Sequence, residues 1–458
     1  MKVGQKPSAR PQVISEKISG AEDRLWQKVF AAVFGVFLGL ALVKFGNPPI
    51  MEKWVTPPEG FFEFIFGYPW PLRWAYGLLI VVGIIGVMVG RWNPTVPKWL
   101  ISLPAAWLIW EFVAGVQSVD WDLSKVTLMH FAACVACFYL GLFSLSGVRK
   151  TGLFWSGVIC GFLLVLATGL EQHFGGLKET RQYFYTYIAP QMKEVAPGYL
   201  QKITSDRIFG TLFYPNALAG AILLLLPPIL AVLWGLRERF TLGARRLLVG
   251  IVAIVGLSCL FWSGSKGGWL LLLVMGLIVV LRLNIRKTVK LSLIVGVLVL
   301  GLAGFFAKYL GYFHKGATSA VARFDYWKAA AHTTKEHPIF GSGPGTFFIS
   351  YEKIRDPRSE PSRLTHNDYL EQASDSGIPG FLFYTAFVVS SLVWIARNRE
   401  FFRGWQNYAI WLGVLGWSLQ SLVEFSLYIP ALSWPAFAFL GWMLGNSKFE
   451  TRNSNSLA

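Results

Sequence analysis

Apolar runs long enough to cross a bilayer recur along the chain, and no other feature constrains its fold as strongly. A membrane-crossing helix needs about 20 mostly apolar residues. Such stretches fall near 26–45, 73–91, 98–116, 125–146, 152–170, 211–235, 246–263, 266–283, 289–307, 378–396, 405–424 and 427–445. Hydrocarbon offers no partner to a backbone N–H or C=O, so segments of this length must satisfy themselves as helices. The expected fold is all-α, a polytopic membrane protein with about 12 transmembrane helices. Composition agrees. Only 15% of the 458 residues are charged, against about 25% in soluble domains. Pro227 and Pro228, inside the sixth stretch, predict a kink.

A net charge of +17 would suit a nucleic-acid binder, but the placement of the charge argues against that. The basic residues crowd into alternate short connections: Arg91 and Lys98; Arg149 and Lys150; Arg237, Arg239, Arg245 and Arg246; Arg282, Arg286, Lys287 and Lys290; Arg397, Arg399 and Arg403. The connection at 117–124 carries Asp120 and Asp122 and no Lys or Arg. This is the positive-inside pattern, with the N-terminus in the cytoplasm. The expected partners are membrane lipids, not nucleic acid. Residues 1–25 lack the apolar core and small-residue cleavage site of a signal peptide and are expected to form a disordered, basic cytoplasmic tail. Residues 26–445 form the integral domain, and 446–458 a second cytoplasmic tail. The segments 46–72, 171–210 and 308–377 then lie outside. The first, rich in Phe, Pro and Trp, reads as interfacial. The second holds an aromatic stretch from Arg181 to Tyr187 expected to lie on the membrane surface. All four cysteines fall in apolar runs; Cys134 and Cys137 are read as packing residues despite their C-x-x-C spacing.

The third segment, 308–377, sits between the ninth and tenth helices and is too long and too polar to be a mere connector. His366 is its best candidate for proton transfer, with Asn367 and Asp368 beside it to orient the ring. Arg323 opens the polar stretch and stays charged at any working pH, so it can contact phosphate oxygens. Arg207 precedes the sixth stretch and could hold an anionic head group. Lys266 lies in the tight turn Ser263–Gly268, where glycines allow close approach. Glu424 is an acid at a membrane boundary, costly unless it is paired or functional; an arginine or His366 could serve it. His332 and His337 are read as structural. The Gly341, Gly343, Gly345 cluster reads as a turn, since no strand–helix unit surrounds it. No metal site is expected: there is no His-Glu-x-x-His pattern.

In order, these pieces resemble the O-antigen ligase and O-antigen polymerase superfamily of bacterial envelopes. The residues that carry the resemblance are Arg323 and Trp327; His337-Pro338 with Gly341, Gly343 and Gly345; His366-Asn367 with Leu370; and Gly377 with Gly380. Two outlying pieces fit as well: Arg207 through Pro215-Asn216, and the acidic segment at Glu424 before Pro430. The resemblance spans roughly 205–445. It implies a glycosyltransferase that moves a glycan from undecaprenyl diphosphate to an acceptor hydroxyl without metal or other cofactor. It further implies a location in the bacterial inner membrane with the site on the outer face. The donor is a lipid-linked glycan, and the acceptor a glycolipid such as lipid A core or another glycan. His366 and Arg323 become the expected catalytic residues. Arg207, Lys266, Asn367, Glu424 and Trp327 become the expected contacts to diphosphate or acceptor. One departure stands out: many relatives carry Ser-Arg-Gly where this chain has Ser265-Lys266-Gly267, and lysine lacks the bidentate fork. A polysaccharide polymerase or a protein O-oligosaccharyltransferase would satisfy the same motifs. A lipid-linked sugar flippase is the rival from another class, and it would favour buried mid-span charges and two related halves.

Overall fold

The computed structural model describes residues 10–447, apart from 68, 93, 184, 187–203, 213, 315–317, 356–358 and 399. Among these residues the chain is all-helical, and nine helices are long and apolar enough to cross a membrane, which makes this a multi-pass membrane protein. The aromatic stretch at 181–187 is described only in part, because Phe184 and Tyr187 lie outside the described residues. So does the C-terminal tail beyond 447.

The apolar runs become helices α1 (Arg10–Lys44), α2 (Leu72–Val89), α3 (Lys98–Val116), α4 (Trp121–Tyr139) and α5 (Gly152–Glu171), with the short α6 (Leu177–Tyr183) after them. The second half holds α7 (Pro215–Trp234), α8 (Leu242–Trp262), α9 (Lys266–Arg282) and α10 (Lys287–His314). The polar segment contributes α11 (Thr318–Glu336) and α12 (Phe347–Ile354). Helices α13 (Asp368–Arg397), α14 (Trp405–Gln420) and α15 (Pro430–Asn446) complete the chain. Helix α1 reaches back to Arg10, into the stretch expected to be an unstructured tail. Helix α7 runs unbroken from Pro215 to Trp234 through Pro227 and Pro228.

Close packing explains why these helices assemble. Lipid tails are as apolar as leucine, so association depends on shape and backbone approach. Helices α1 and α5 meet through Gly35 and Gly39 on one side and Gly157 and Gly161 on the other. A Cβ on Gly39 would lie 2.4 Å from the Gly157 carbonyl oxygen. The spacing is Gly-x-x-x-Gly on both helices, a small-residue seam. At the centre sits α15, buried from Pro430 to Leu444 and packed on α1, α4 and α14.

The polar segment departs from expectation at its C-terminal end. It was expected to stay outside until residue 377, yet the chain is helical from Asp368. Helix α13 consists of two pieces joined at Gly377, whose φ of 70° and ψ of −175° break the helix. The first piece, 368–376, is buried in the bundle although it carries Asp368, Glu371, Gln372 and Asp375. Each of these has a dedicated partner. Asp368 Oδ2 accepts from the Leu427 amide at 2.8 Å, and Glu371 Oε2 from the Thr365 amide at 2.8 Å. Asp375 Oδ2 accepts from the Gly345 amide at 2.7 Å, and Gln372 Oε1 from Trp107 Nε1 at 2.6 Å. Buried polar groups are tolerable when paired in this way.

The glycine cluster is what docks this half-helix. Amides of Ser342 and Gly343 donate to the carbonyls of Ser374 and Asp375 at 2.9 and 2.8 Å. A Cβ on Gly377 would lie 2.1 Å from the Ile339 carbonyl oxygen, and its positive φ adds roughly 1–2 kcal/mol of strain for any L-residue. Gly377→Ala should therefore lower the thermal midpoint of the detergent-purified protein by several degrees or prevent its recovery. A midpoint equal to wild type would show that the half-helix is not locked through this position.

Candidate active site

The residues singled out in sequence converge where α11, the start of α13, the α14–α15 connection and the start of α7 meet. His366 lies immediately before α13. Its φ is 54°, and it is the one non-glycine with positive φ among the described residues. Such a conformation costs on the order of 1–3 kcal/mol and persists only where its surroundings over-determine it. They do so here. Asn367 caps α13 by accepting from the Leu370 amide at 3.1 Å. The Asn367 amide donates to Thr365 Oγ1 at 3.1 Å, and the Asp368 amide donates to the Ser421 carbonyl at 2.8 Å. Both flanks of His366 are thus pinned.

The ring is oriented by Glu424, and not by Asn367 or Asp368 as expected. His366 Nδ1 lies 3.0 Å from Glu424 Oε2. Tyr326 stacks on the ring at 5.8 Å between centroids, and Phe425 meets it edge-on at 4.8 Å. Asn367 spends its side-chain oxygen on the helix cap, and Asp368 spends one of its own on the Leu427 amide.

Glu424 is the hub. Its Oε1 pairs with Arg323 and accepts from Asn216 Nδ2 at 2.6 Å. Its Oε2 accepts from Tyr214 Oη at 2.7 Å as well as facing His366. Burial alone would raise this carboxyl, but the Arg323 charge and the His366 contacts outweigh it and hold the pKa down at about 2. Glu424 is therefore an anion at any physiological pH. Burial, followed by the Glu424 charge, raises the Tyr214 hydroxyl well above its usual range, so it remains a neutral donor. Because an ionised carboxylate can only accept, the proton of a neutral His366 ring belongs on Nδ1, leaving the Nε2 lone pair to accept a proton.

Arg323 has donors to spare. Its Nε is buried without a hydrogen-bond partner, and so is Trp327 Nε1 one helical turn on. An unmet buried donor costs about 1–3 kcal/mol. Both belong to the segment where sequence placed the site, and an oxygen-rich ligand would satisfy both. Arg207 joins from the other side. Its Nη2 donates to Asn216 Oδ1 at 2.7 Å, so one amide links it to Glu424. Its Nε donates to the Ser263 carbonyl at 2.7 Å. Gly264, with φ of 62°, makes room for that arginine: a Cβ there would lie 3.1 Å from Arg207 Nε. Lys266 follows at the start of α9, which Ser265 caps by accepting from the Gly268 amide at 3.2 Å. Its charge interacts with those of Arg207 and Arg323.

The structure thus unites His366, Arg323, Glu424 and Arg207 in one connected network and brings Lys266 to its edge. It places Trp327 beside Arg323 and gives Asn367 to the backbone. Sequence reasoning assigned no role to Tyr214 or Tyr326, and it noted Asn216 only as the end of the Pro215-Asn216 piece, without its contacts to Arg207 and Glu424. Among the described residues, no three His, Cys, Asp or Glu side chains are grouped to hold a metal ion.

Comparison with known proteins points to the same family as the motifs. Residues 251–385 match the family described as O-antigen ligase, a stretch that includes Lys266, Arg323, Trp327, His366 and Asn367. The resemblance to the O-antigen ligase superfamily is thereby borne out. Arg207 and Glu424 lie on either side of the match. A protein of Haemophilus influenzae (strain ATCC 51907 / DSM 11121 / KW20 / Rd), described as an uncharacterized protein, is 27% identical over 175 residues. That alignment covers 33% of this chain and 44% of the relative, so the chain spans less than half of that protein's length.

Proposed function

We propose that the protein is an O-antigen ligase-like glycosyltransferase. It moves a glycan from undecaprenyl diphosphate to an acceptor hydroxyl. The observation that carries this reading is His366. It is held in a strained left-handed backbone with Nδ1 on an ionised carboxylate, next to an arginine whose buried Nε is unmet. General-base catalysis requires a positioned imidazole with one free nitrogen. Departure of a diphosphate requires preorganised positive charge. Both lie in one network here.

The steps follow from these groups. The acceptor hydroxyl gives its proton to His366 Nε2 as its oxygen attacks the anomeric carbon. The bond from that carbon to the diphosphate oxygen breaks, and its electron pair leaves with the diphosphate. The imidazolium that forms is stabilised by Glu424. Arg323 and Arg207 take up the charge on the leaving group, with Lys266 supporting them. Attack opposite the diphosphate inverts the anomeric centre. Trp327 contributes its indole N–H to the donor or the acceptor.

The arrangement in the membrane belongs to the same proposal. Helices α9, α14 and α15 cross with the nine longer ones, giving twelve spans. Basic connections face the cytoplasm, and the network opens on the outer face of the inner membrane. The integral domain spans 26–445, and the catalytic loop 308–377.

The test uses purified protein in nanodiscs with a lipid-diphosphate glycan and a panel of acceptors: lipid A core, a growing glycan and a peptide. Acceptor-dependent release of undecaprenyl diphosphate, with an inverted linkage in the product, is expected. The acceptor that works separates ligase from polymerase from protein glycosyltransferase. Lipid-linked glycan crossing the bilayer with no release would replace this reading with the flippase.

A further inference from the structure

The cationic side of the network extends one helix beyond the residues already assigned. Lys308 and Tyr309 lie near the end of α10, against the start of α9. Lys308 Nζ donates to the Phe261 carbonyl and lies 5.6 Å from the centre of the Tyr309 ring. Lys266 Nζ lies 5.3 Å from the centre of the same ring. The charges acting on Lys308 are those of Arg207 and Lys266, while those acting on Lys266 are Arg207 and Arg323. These four cations are grouped. Arg323 touches Glu424, and through it His366. Arg207 is one amide away, and Lys266 and Lys308 meet at the Tyr309 ring. Like charges repel, and a multiply charged anion bound among them would offset that cost. A second observation points the same way. Tyr309 is 7% exposed, and its hydroxyl is buried without a hydrogen-bond partner, an unused donor among cations.

We propose that Lys308 and Tyr309 bind the lipid-side phosphate of a polyprenyl diphosphate donor, which fixes the direction in which the donor lies. This rests on the transferase reading above. The bond to be broken joins sugar to phosphate and must lie near His366, so the sugar-side phosphate falls to Arg323 and Arg207. The second phosphate then falls to Lys266, Lys308 and Tyr309. Its hydrocarbon tail leaves over α10, which from its middle onward presents Val299, Leu300, Phe306 and Leu310, each more than half exposed. An apolar helix face beside Lys308 suits a lipid whose charge ends where its tail begins. Two lysines also meet the second phosphate as separate point charges, which needs no bidentate fork.

The experiment measures binding, so it does not depend on turnover. Wild type, Lys308→Gln, Lys308→Arg and Tyr309→Phe are placed in nanodiscs and titrated with undecaprenyl diphosphate and, separately, undecaprenyl monophosphate. Lys308→Gln is expected to weaken diphosphate binding roughly ten-fold, as loss of a charge-assisted contact does, and to change monophosphate binding less than two-fold. Lys308→Arg should restore most of the loss. Tyr309→Phe should weaken the diphosphate alone by a few-fold. Unchanged diphosphate affinity in both Lys308→Gln and Tyr309→Phe, or equal losses for the two lipids, would overturn the inference and leave the transferase reading intact. A wild-type protein that does not bind the diphosphate lipid would instead remove the transferase reading itself.

Discussion

Replacing His366 should lower the turnover of glycan transfer by roughly 10²–10⁴-fold, the usual contribution of a positioned general base. Donor binding should stay within a few-fold of wild type, because the proposed mechanism gives the diphosphate to Arg323, Arg207 and Lys266 and not to the imidazole. Two substitutions are needed to read this cleanly. His366→Ala removes the base but leaves a non-glycine in the left-handed backbone (φ 54°). His366→Asn also removes it, and asparagine tolerates that backbone better than most residues. If both lose turnover alike, the loss belongs to the missing nitrogen. If Asn retains activity and Ala does not, the residue serves the turn and not the chemistry. Single-turnover kinetics with pre-bound donor give the decisive number, and a rate within three-fold of wild type in both variants would remove His366 from the mechanism.

The membrane class and all-helical fold were legible because run length decides them, and nine of the helices among the described residues are long and apolar enough to cross. Several ends were not, since α1 begins at Arg10 and α13 at Asp368, 16 and 10 residues before their apolar runs. The site was legible in part. His366, Arg323 and Glu424 could be picked out one by one because each is a titratable or charged group where such groups are costly. Their mutual contact was foreseen only as an option for Glu424. What could not be read was the path between them. Asn216 links Glu424 to Arg207, and Tyr214 also holds Glu424, both from more than 200 residues before that carboxylate in sequence, and no local pattern announces a contact of that range. The half-helix 368–376 was misjudged for a related reason. Asp368, Glu371, Gln372 and Asp375 look like a solvated loop until one knows that Leu427, Thr365, Trp107 and Gly345 meet them. Polarity excludes burial only when no partner is present, and partners are a tertiary property. The seam between α1 and α5 was missed because Gly-x-x-x-Gly spacing carries weight only once its facing helix is known.

The sharpest test of the network as a unit is Glu424→Gln, which keeps the shape and removes the charge. A glutamine can turn its amide N–H toward His366 Nδ1. The ring then carries its proton on Nε2, the nitrogen that should receive the acceptor's proton. Turnover should fall on the order of 10²–10⁴-fold, the range seen when an orienting carboxylate is replaced by its amide beside a catalytic histidine. The same substitution deprives Arg323 of its counter-charge, leaving it a neutral amide oxygen as acceptor. The pH dependence of stability gives a second, independent readout. In the wild type the Glu424 carboxyl is held at about 2, below the ordinary value of 4.5. A depressed carboxylate stabilises the fold fully above its unfolded pKa, and that stabilisation is lost as pH falls toward the folded one. The window is therefore about 4.5 down to about 2, and the contribution at neutral pH is on the order of 3 kcal/mol. The side chain is only 5% exposed, so solvent screening takes little from it. Wild type should lose thermal midpoint across that window. Glu424→Gln should start lower at pH 7, lose less of it on acidification, and show no transfer. A variant with wild-type turnover and an unchanged acid profile would mean that Glu424 neither orients His366 nor holds Arg323, and the network would have to be rebuilt around another carboxylate.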